Sequence, residues 1–273
     1  MMHIAADYQP IFRELGIDAE TVFTHPLIKP WRRLGDRENC ILRATLAHGQ
    51  TIRWHVKRYA PPRIGASTPA SLEANGHREL TTQRIPTAKL LAWGQLPDRR
   101  SFVIFEDLDG YQAADQLVQA GTAFEQLLIP TAELAARLHR AELHHRDLYL
   151  CHFFARPLPA GGFDVRLIDS ARVRRLPTLF TRTRWIVKDL AQFWYSTLPL
   201  PISDQQRDRW LAHYARECGL PSVEPLKRKV VRKAAWIARH DALLRRRQPH
   251  RNISIPADAS SARSSAPPTT AHL

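Results

Sequence analysis

Cysteine is scarce: the 273-residue chain has three, Cys40, Cys151 and Cys218. An odd number of widely spaced thiols supports neither a disulfide framework nor a CxxC metal knuckle, and it favours a reducing compartment. No apolar run approaches the ~18 residues of a membrane-crossing helix. The opening Met1-Met2-His3-Ile4-Ala5-Ala6-Asp7 lacks the basic-then-apolar order of a secretory signal, so a cytoplasmic location is expected. Four motifs are absent as well: GxSxG, HExxH, GxxxxGK[ST] and GxGxxG. Their absence removes the nucleophile elbow, the zincin site, the P-loop and the dinucleotide fingerprint. With 44% apolar and 24% charged residues the composition is that of a globular protein.

Acidic residues are also few. The formal net charge is +14, which points to an anionic partner. The excess is concentrated. From Leu226 to Arg251 there are ten Lys or Arg against one acid, Asp241, a net +9. Leu226, Val230, Ala234, Ile237 and Leu244 recur there at helical spacing, so the segment reads as a basic amphipathic helix. A face of that kind suits peripheral contact with an anionic membrane through Leu226–Arg247. No recognised nucleic-acid module accompanies it, and no nucleic-acid partner is expected.

Strands come first and helices afterwards. Ile41–Leu46 and Thr51–Arg58 flank a turn at 47–50. In the second run Ile52, Trp54 and Val56 alternate with Arg53, His55 and Lys57, the pattern of a half-buried hairpin strand. A helix is expected over 70–83, weakened by Gly76. Short apolar runs at 89–93 and 101–105 complete a small antiparallel sheet. Beyond residue 110 a helix ends near His139-Arg140, strands are expected at 151–155 and 163–168, and helices at 184–197, 203–217 and 225–246. Trp185, Trp194, Trp210 and Trp236 are expected in the core. The Ser-, Ala-, Pro- and Thr-rich stretch 249–273 reads as a disordered tail.

One constellation carries chemistry. Val56-Lys57 ends a strand, and Glu73 follows 16 residues later in a helix. His145-Arg146-Asp147 is followed by His152, and Leu167-Ile168-Asp169 comes 22 residues after Asp147. This is the order of a protein-kinase-like phosphotransferase. Phosphoryl transfer asks for charge neutralisation and in-line positioning. A strand Lys can hold nucleotide phosphates and a helix Glu can hold that Lys. A loop Asp can take the acceptor proton, and a strand-end Asp is a hard oxygen ligand for Mg²⁺. The apolar run Phe102–Phe105 leading into Glu106-Asp107-Leu108 suits a hinge whose backbone faces adenine. Four nearby histidines, His139, His144, His145 and His152, could suggest zinc, but adjacent residues do not readily face one metal and no cysteine pair supports it.

The stretch Leu143-His144-His145-Arg146-Asp147-Leu148-Tyr149-Leu150-Cys151-His152-Phe153-Phe154 resembles the catalytic loop of the lipopolysaccharide core kinase family, the Kdo and heptose kinases. That loop reads H-R-D-x-Y-x-x-H-F. Also similar are Val56-Lys57-Arg58-Tyr59, Leu167-Ile168-Asp169-Ser170-Ala171-Arg172 and Lys188-Asp189-Leu190-Ala191-Gln192-Phe193-Trp194-Tyr195-Ser196. The resemblance implies an α+β bilobal kinase-like fold with an ATP-binding lobe over 1–109 and a helical catalytic lobe over 110–248. It implies ATP and Mg²⁺ as cofactors and a heptose or Kdo hydroxyl of the lipopolysaccharide core, or a related glycan, as acceptor. By the same resemblance Asp147 is the base, with Arg146 and His152 beside it in the catalytic group. Lys57, Glu73, Glu106 and Leu108 bind nucleotide; Asp169 and His152 are the metal candidates. Glu79 is a second candidate partner for Lys57. His152 stands where protein kinases and aminoglycoside- or choline-type phosphotransferases place Asn, which makes those the alternative readings. A non-catalytic basic interaction protein is the third. The phosphate-covering loop, Leu34-Gly35-Asp36-Arg37-Glu38-Asn39, holds one glycine, and Ser170 follows the metal Asp where the family has a bulky apolar residue. The implied acceptor would place the protein at the inner face of the inner membrane.

Overall fold

A computed structural model describes residues 1–178 and 181–247. The tail expected from residue 249 lies outside the described residues. Six strands, β1 (Met2–Ile4), β2 (Ile28–Leu34), β3 (Arg37–Thr45), β4 (Thr51–Tyr59), β5 (Leu90–Gln95) and β6 (Ser101–Glu106), form one antiparallel sheet in the order β1-β5-β6-β4-β3-β2. The alternation expected in β4 is realised. Ile52, Trp54 and Val56 are buried on one face, under a short helix α1 (Gln9–Glu14) that brings Phe12 against Trp54. His55, Lys57 and Tyr59 emerge on the other face, toward α2 (Pro69–Thr82) and the cleft.

β1, β2 and α1 were not legible as elements. β2 carries Pro30 and three cations in or beside its run, with no period-two pattern, and its register shifts between Pro30 and Arg32. A proline lacks the N–H for a regular ladder and is accommodated at such an irregularity.

After a linker at 107–111 the chain builds the helical lobe. β7 (Gln112–Ala113) joins β9 (Phe153–Pro157) and β10 (Phe163–Leu167) in a small sheet; β8 (Leu143–His144) pairs with β11 (Arg174–Arg175). The strand expected at 151–155 begins two residues later, because Leu150–His152 forms a 3-10 turn. The helices are α3 (Ala114–Gln119), α4 (Phe124–Arg140), α5 (Arg182–Thr197), α6 (Asp204–Glu217) and α7 (Glu224–Arg247). Their core is fixed by large rings: Phe193 on α5 stacks on Trp210 of α6 at 3.8 Å between centroids. The fold is thus α+β and bilobal, as expected.

Two of the four tryptophans expected in the core are not there. Trp236 is 49% exposed. Trp185 is half-buried, with the guanidinium carbon of Arg146 4.7 Å and Lys188 Nζ 5.4 Å from its ring centroid. Helical spacing marks a face, but it does not distinguish an apolar contact from a cation-stacked one. On α7 the stripe of Val230 and Ala234 is buried against the lobe, with Leu226 and Ile237 packed beside it. Among the described residues no helix is long and apolar enough to cross a membrane.

Gly76, which weakens α2 as a helix, has a positional reason. A Cβ built there would lie 2.0 Å from the carbonyl oxygen of Ser170 and 3.3 Å from Val173 Cβ. The helix therefore sits backbone-to-backbone on the segment that follows Asp169. Gly76→Ala is expected to lower Tm by about 5 °C: overpacking costs ~1–3 kcal/mol, outweighing the gain of up to ~1 kcal/mol in helix propensity. Thermal unfolding checks this, and a raised Tm would refute the close approach.

Candidate active site

Three elements converge on Lys57. Its Nζ donates to Glu73 Oε1 at 2.6 Å and to Asp169 Oδ1 at 3.2 Å. Glu73 is fully buried, and its second oxygen accepts from Tyr59 Oη. The choice left open by sequence is therefore resolved: Glu73 meets Lys57, whereas Glu79 pairs with Arg175 at 3.1 Å. Burial opposes the charge on Lys57, but Asp169 and Glu73 outweigh it and raise its pKa. Burial likewise opposes the Asp169 carboxylate, and Lys57 and His152 reverse that and hold its pKa well below the ordinary range. Asp169 follows β10 in a left-handed conformation, φ 64°. Arg146 is the other left-handed residue of the site, φ 71°. Non-glycine residues rarely adopt this region, and such strain gathers at functional sites.

The loop with Asp147 is held from below by α5. Asp189, fully buried, accepts from the backbone N–H of His145 at 2.6 Å and of Arg146 at 2.8 Å. Gln192 Oε1 accepts from Leu148 N–H at 3.3 Å, and Ser196 Oγ from Leu150 N–H at 2.9 Å. These acceptors sit at i, i+3 and i+7, one face of one helix. The segment around 188–196 carried family resemblance, but none of these three was singled out as a site residue. The signal available was three polar residues at fixed spacing among the apolar Leu190, Ala191, Phe193 and Trp194.

Asp147 presents its carboxylate to Arg172, whose guanidinium donates to both oxygens at 3.0 and 3.1 Å, and to Gln192 Nε2 at 3.4 Å. His152 Nδ1 donates to the Asp147 carbonyl at 2.7 Å, and its Nε2 lies 3.8 Å from Asp169 Oδ2. Burial opposes charge on His152, yet Cys151 and Asp169 outweigh it and hold its pKa up, at about 10. His145 reaches the Ile168 carbonyl at 3.0 Å through Nε2, linking the two loops. His139 turns away to Tyr214 and Asp189, so the four histidines share no centre.

The lobes enclose a cleft of about 300 Å³ lined by Lys57, Glu73, Glu106, Leu108, His152 and Asp169, among others. Among the described residues nothing accepts from the Leu108 N–H, which remains available at the hinge. Of the residues expected in the site, two do not line this cleft: Asp147 faces Arg172 and Gln192 beside it, and the Arg146 side chain stacks on Trp185. The place of Arg146 in the loop is a backbone one, through the N–H held by Asp189.

The model of the lipopolysaccharide kinase (Kdo/WaaP) family matches residues 43–214, well over half of the chain. The chain belongs to that family. The match to this kinase family contains Lys57, Glu73, Asp147, His152, Asp169 and Asp189. Among curated relatives, the lipopolysaccharide core heptose(I) kinase WaaP of Pseudomonas aeruginosa is 33% identical over 93 residues, covering 33% of this chain and 34% of its own. The protein of the same name from Escherichia coli is 32% identical over 121 residues, 41% of this chain and 44% of its own. The chain thus spans between a third and a half of the length of the curated relatives it matches.

Proposed function

We propose that the protein is an ATP-dependent kinase that phosphorylates a sugar hydroxyl of the lipopolysaccharide core, with heptose as the first candidate. The observation that carries this reading is the convergence of Lys57, Glu73 and Asp169 in one cleft, next to a loop that holds Asp147. In the reaction, the acceptor oxygen bonds to the γ-phosphorus, the bond from that phosphorus to the β-phosphate oxygen breaks, and ADP leaves. Asp147 takes the hydroxyl proton. Lys57, fixed by Glu73, neutralises phosphate charge. Heptose is favoured over Kdo by the relatives' names, all of which are heptose(I) kinases.

Mg²⁺ fits part of the donor set. The Asp169 carboxylate is the hard oxygen that Mg²⁺ takes alongside phosphates, whereas an imidazole is a poor ligand for it. His152, with Nδ1 committed to the Asp147 carbonyl, is better suited to donate from Nε2 to a phosphate oxygen. When bound, the ion would neutralise phosphate charge.

The acceptor side supports an anionic glycan. Arg172 pairs with Asp147, Arg146 and Lys188 lie near enough to feel its charge, and Arg174 lies near Arg146. Burial and then Arg172 and Arg174 depress the Arg146 pKa; burial and then Arg172 depress that of Lys188. An anionic acceptor relieves this mutual repulsion. Incubation with γ-labelled ATP, Mg²⁺ and a panel of core oligosaccharides, followed by mass location of the phosphate, tests the reading. Transfer to heptose is the expected result. Transfer to an aminoglycoside or choline alone would replace it with the small-molecule phosphotransferase reading.

The same reading extends to the outer face of α7, where Arg228, Lys229, Arg232, Arg239, Arg246 and Arg247 are exposed around Trp236. With the apolar stripe packed on the lobe, this face suits reversible contact with anionic lipid and not insertion. Each cation near such a surface contributes about 1 kcal/mol, so neutralising Arg239, Arg246 and Arg247 should weaken binding to anionic liposomes roughly 100-fold at low salt. Flotation assays measure it; equal binding of mutant and wild type would leave α7 an ordinary solvated helix.

A further inference from the structure

The hairpin over the cleft has a single glycine, Gly35, and not the glycine-rich run with which a backbone wraps phosphates. Leu34 pairs directly with Arg37, so β2 and β3 are joined by two residues, Gly35 and Asp36. Polar side chains stand there in place of such a run. Arg37 and Asn39 lie opposite Tyr59 and Lys57 on β4, and directly paired residues share a face of the sheet. Both line the cleft. Arg37 Nε and Asn39 Oδ1 are each buried with no hydrogen-bond partner, although native structures satisfy nearly all such atoms. Among the described residues Arg37 makes no ion pair, while its charge is near enough to act on both Lys57 and Asp169.

We propose that Arg37, with Asn39 beside it, is a side-chain clamp for the terminal phosphates of the nucleotide, in place of a glycine-rich backbone loop. The proposal rests on the nucleotide-binding reading of the cleft. A guanidinium offers planar paired donors that match phosphate oxygens, and it holds its charge at any physiological pH. The amide of Asn39 can present its N–H₂ to the same oxygens by exchanging its oxygen and nitrogen positions. Lys57 grips the phosphates from the floor of the sheet, and Arg37 grips them two residues further along the paired strand.

The test compares full-length wild type, Arg37→Gln and Arg37→Lys in calorimetric titrations with ATP, ADP, AMP and adenosine in Mg²⁺. Arg37→Gln is expected to weaken ATP binding roughly 10–100-fold, the range for losing a charge-assisted hydrogen bond. Adenosine affinity should stay unchanged, and Arg37→Lys should recover part of the loss. In turnover, KM for ATP should rise more than kcat falls. Unchanged ATP affinity in Arg37→Gln overturns the clamp alone. Equal losses for ATP and adenosine also overturn it, because they mark a structural role. Wild type that binds no nucleotide overturns both the clamp and the kinase reading.

Discussion

Asp147→Asn is expected to keep its fold and its affinity for ATP while turning over roughly 10²–10⁴-fold more slowly. The carboxylate is replaced by an amide of the same shape that accepts no proton. Its partners are Arg172, half-exposed at 52%, and Gln192 at 3.4 Å. An ion pair with so exposed a partner contributes at most about 1 kcal/mol, so Tm should move by no more than a few degrees. Loss of rate without loss of stability is the signature of a group that acts on the transition state. Single-turnover measurements with a core oligosaccharide and excess enzyme separate the chemical step from binding. Turnover at the wild-type rate would take Asp147 out of the base role and leave it as an anchor for Arg172.

The fold was legible where a face is defined by alternation or by helical period. β4 reads correctly because Ile52, Trp54 and Val56 must be buried together, and α6 reads correctly to within a residue. β2 did not read, since a strand holding Pro30, Arg32 and Arg33 has no apolar face and is recruited by pairing with β3. The site was legible in its order along the chain: Lys57, Glu73, Asp147, His152 and Asp169 each bear a group that phosphoryl transfer uses. Sequence spacing favoured Glu73 over Glu79, six positions along the same helix, without settling the choice. That choice depends on which turn of α2 faces Lys57, and Gly76 sets it by letting the helix touch Ser170. Arg37 and Asn39 were legible only as missing glycines. Their burial and lack of partners exist only once β3 is laid against β4. Trp236 misled because a large aromatic ring is expected in a core, whereas it stands off the Val230–Ala234–Ile237 stripe and stacks with Lys233, whose Nζ lies 3.5 Å from its ring centroid.

Asp189→Ala should be more damaging to stability than any change in the cleft, although Asp189 touches no reacting group. The carboxylate accepts from two consecutive backbone N–H groups and lies 3.3 Å from His139 Nε2. Alanine leaves those two donors buried and unsatisfied, at roughly 1–3 kcal/mol each, so a total loss of about 3–5 kcal/mol is expected. For a domain of this size that lowers Tm by about 10 °C. The loop also loses what holds Arg146 in its left-handed conformation, so Asp147 should lose its aim and activity should fall even in the folded fraction. The pH dependence gives a readout that cavity formation would not. Burial raises the Asp189 pKa, but His139 and the backbone donors outweigh it and lower the net value below that of an unfolded aspartate. A carboxyl with a depressed folded pKa binds its proton more readily when unfolded. Its contribution is therefore complete above the unfolded value near 4 and is lost as pH falls through the lower folded value. Wild type should thus lose more stability than Asp189→Ala as pH is lowered from about 5 toward 2. Denaturation curves at a series of pH values would show the two converging on acidification; parallel curves would mean that Asp189 acts by filling space and not by its charge.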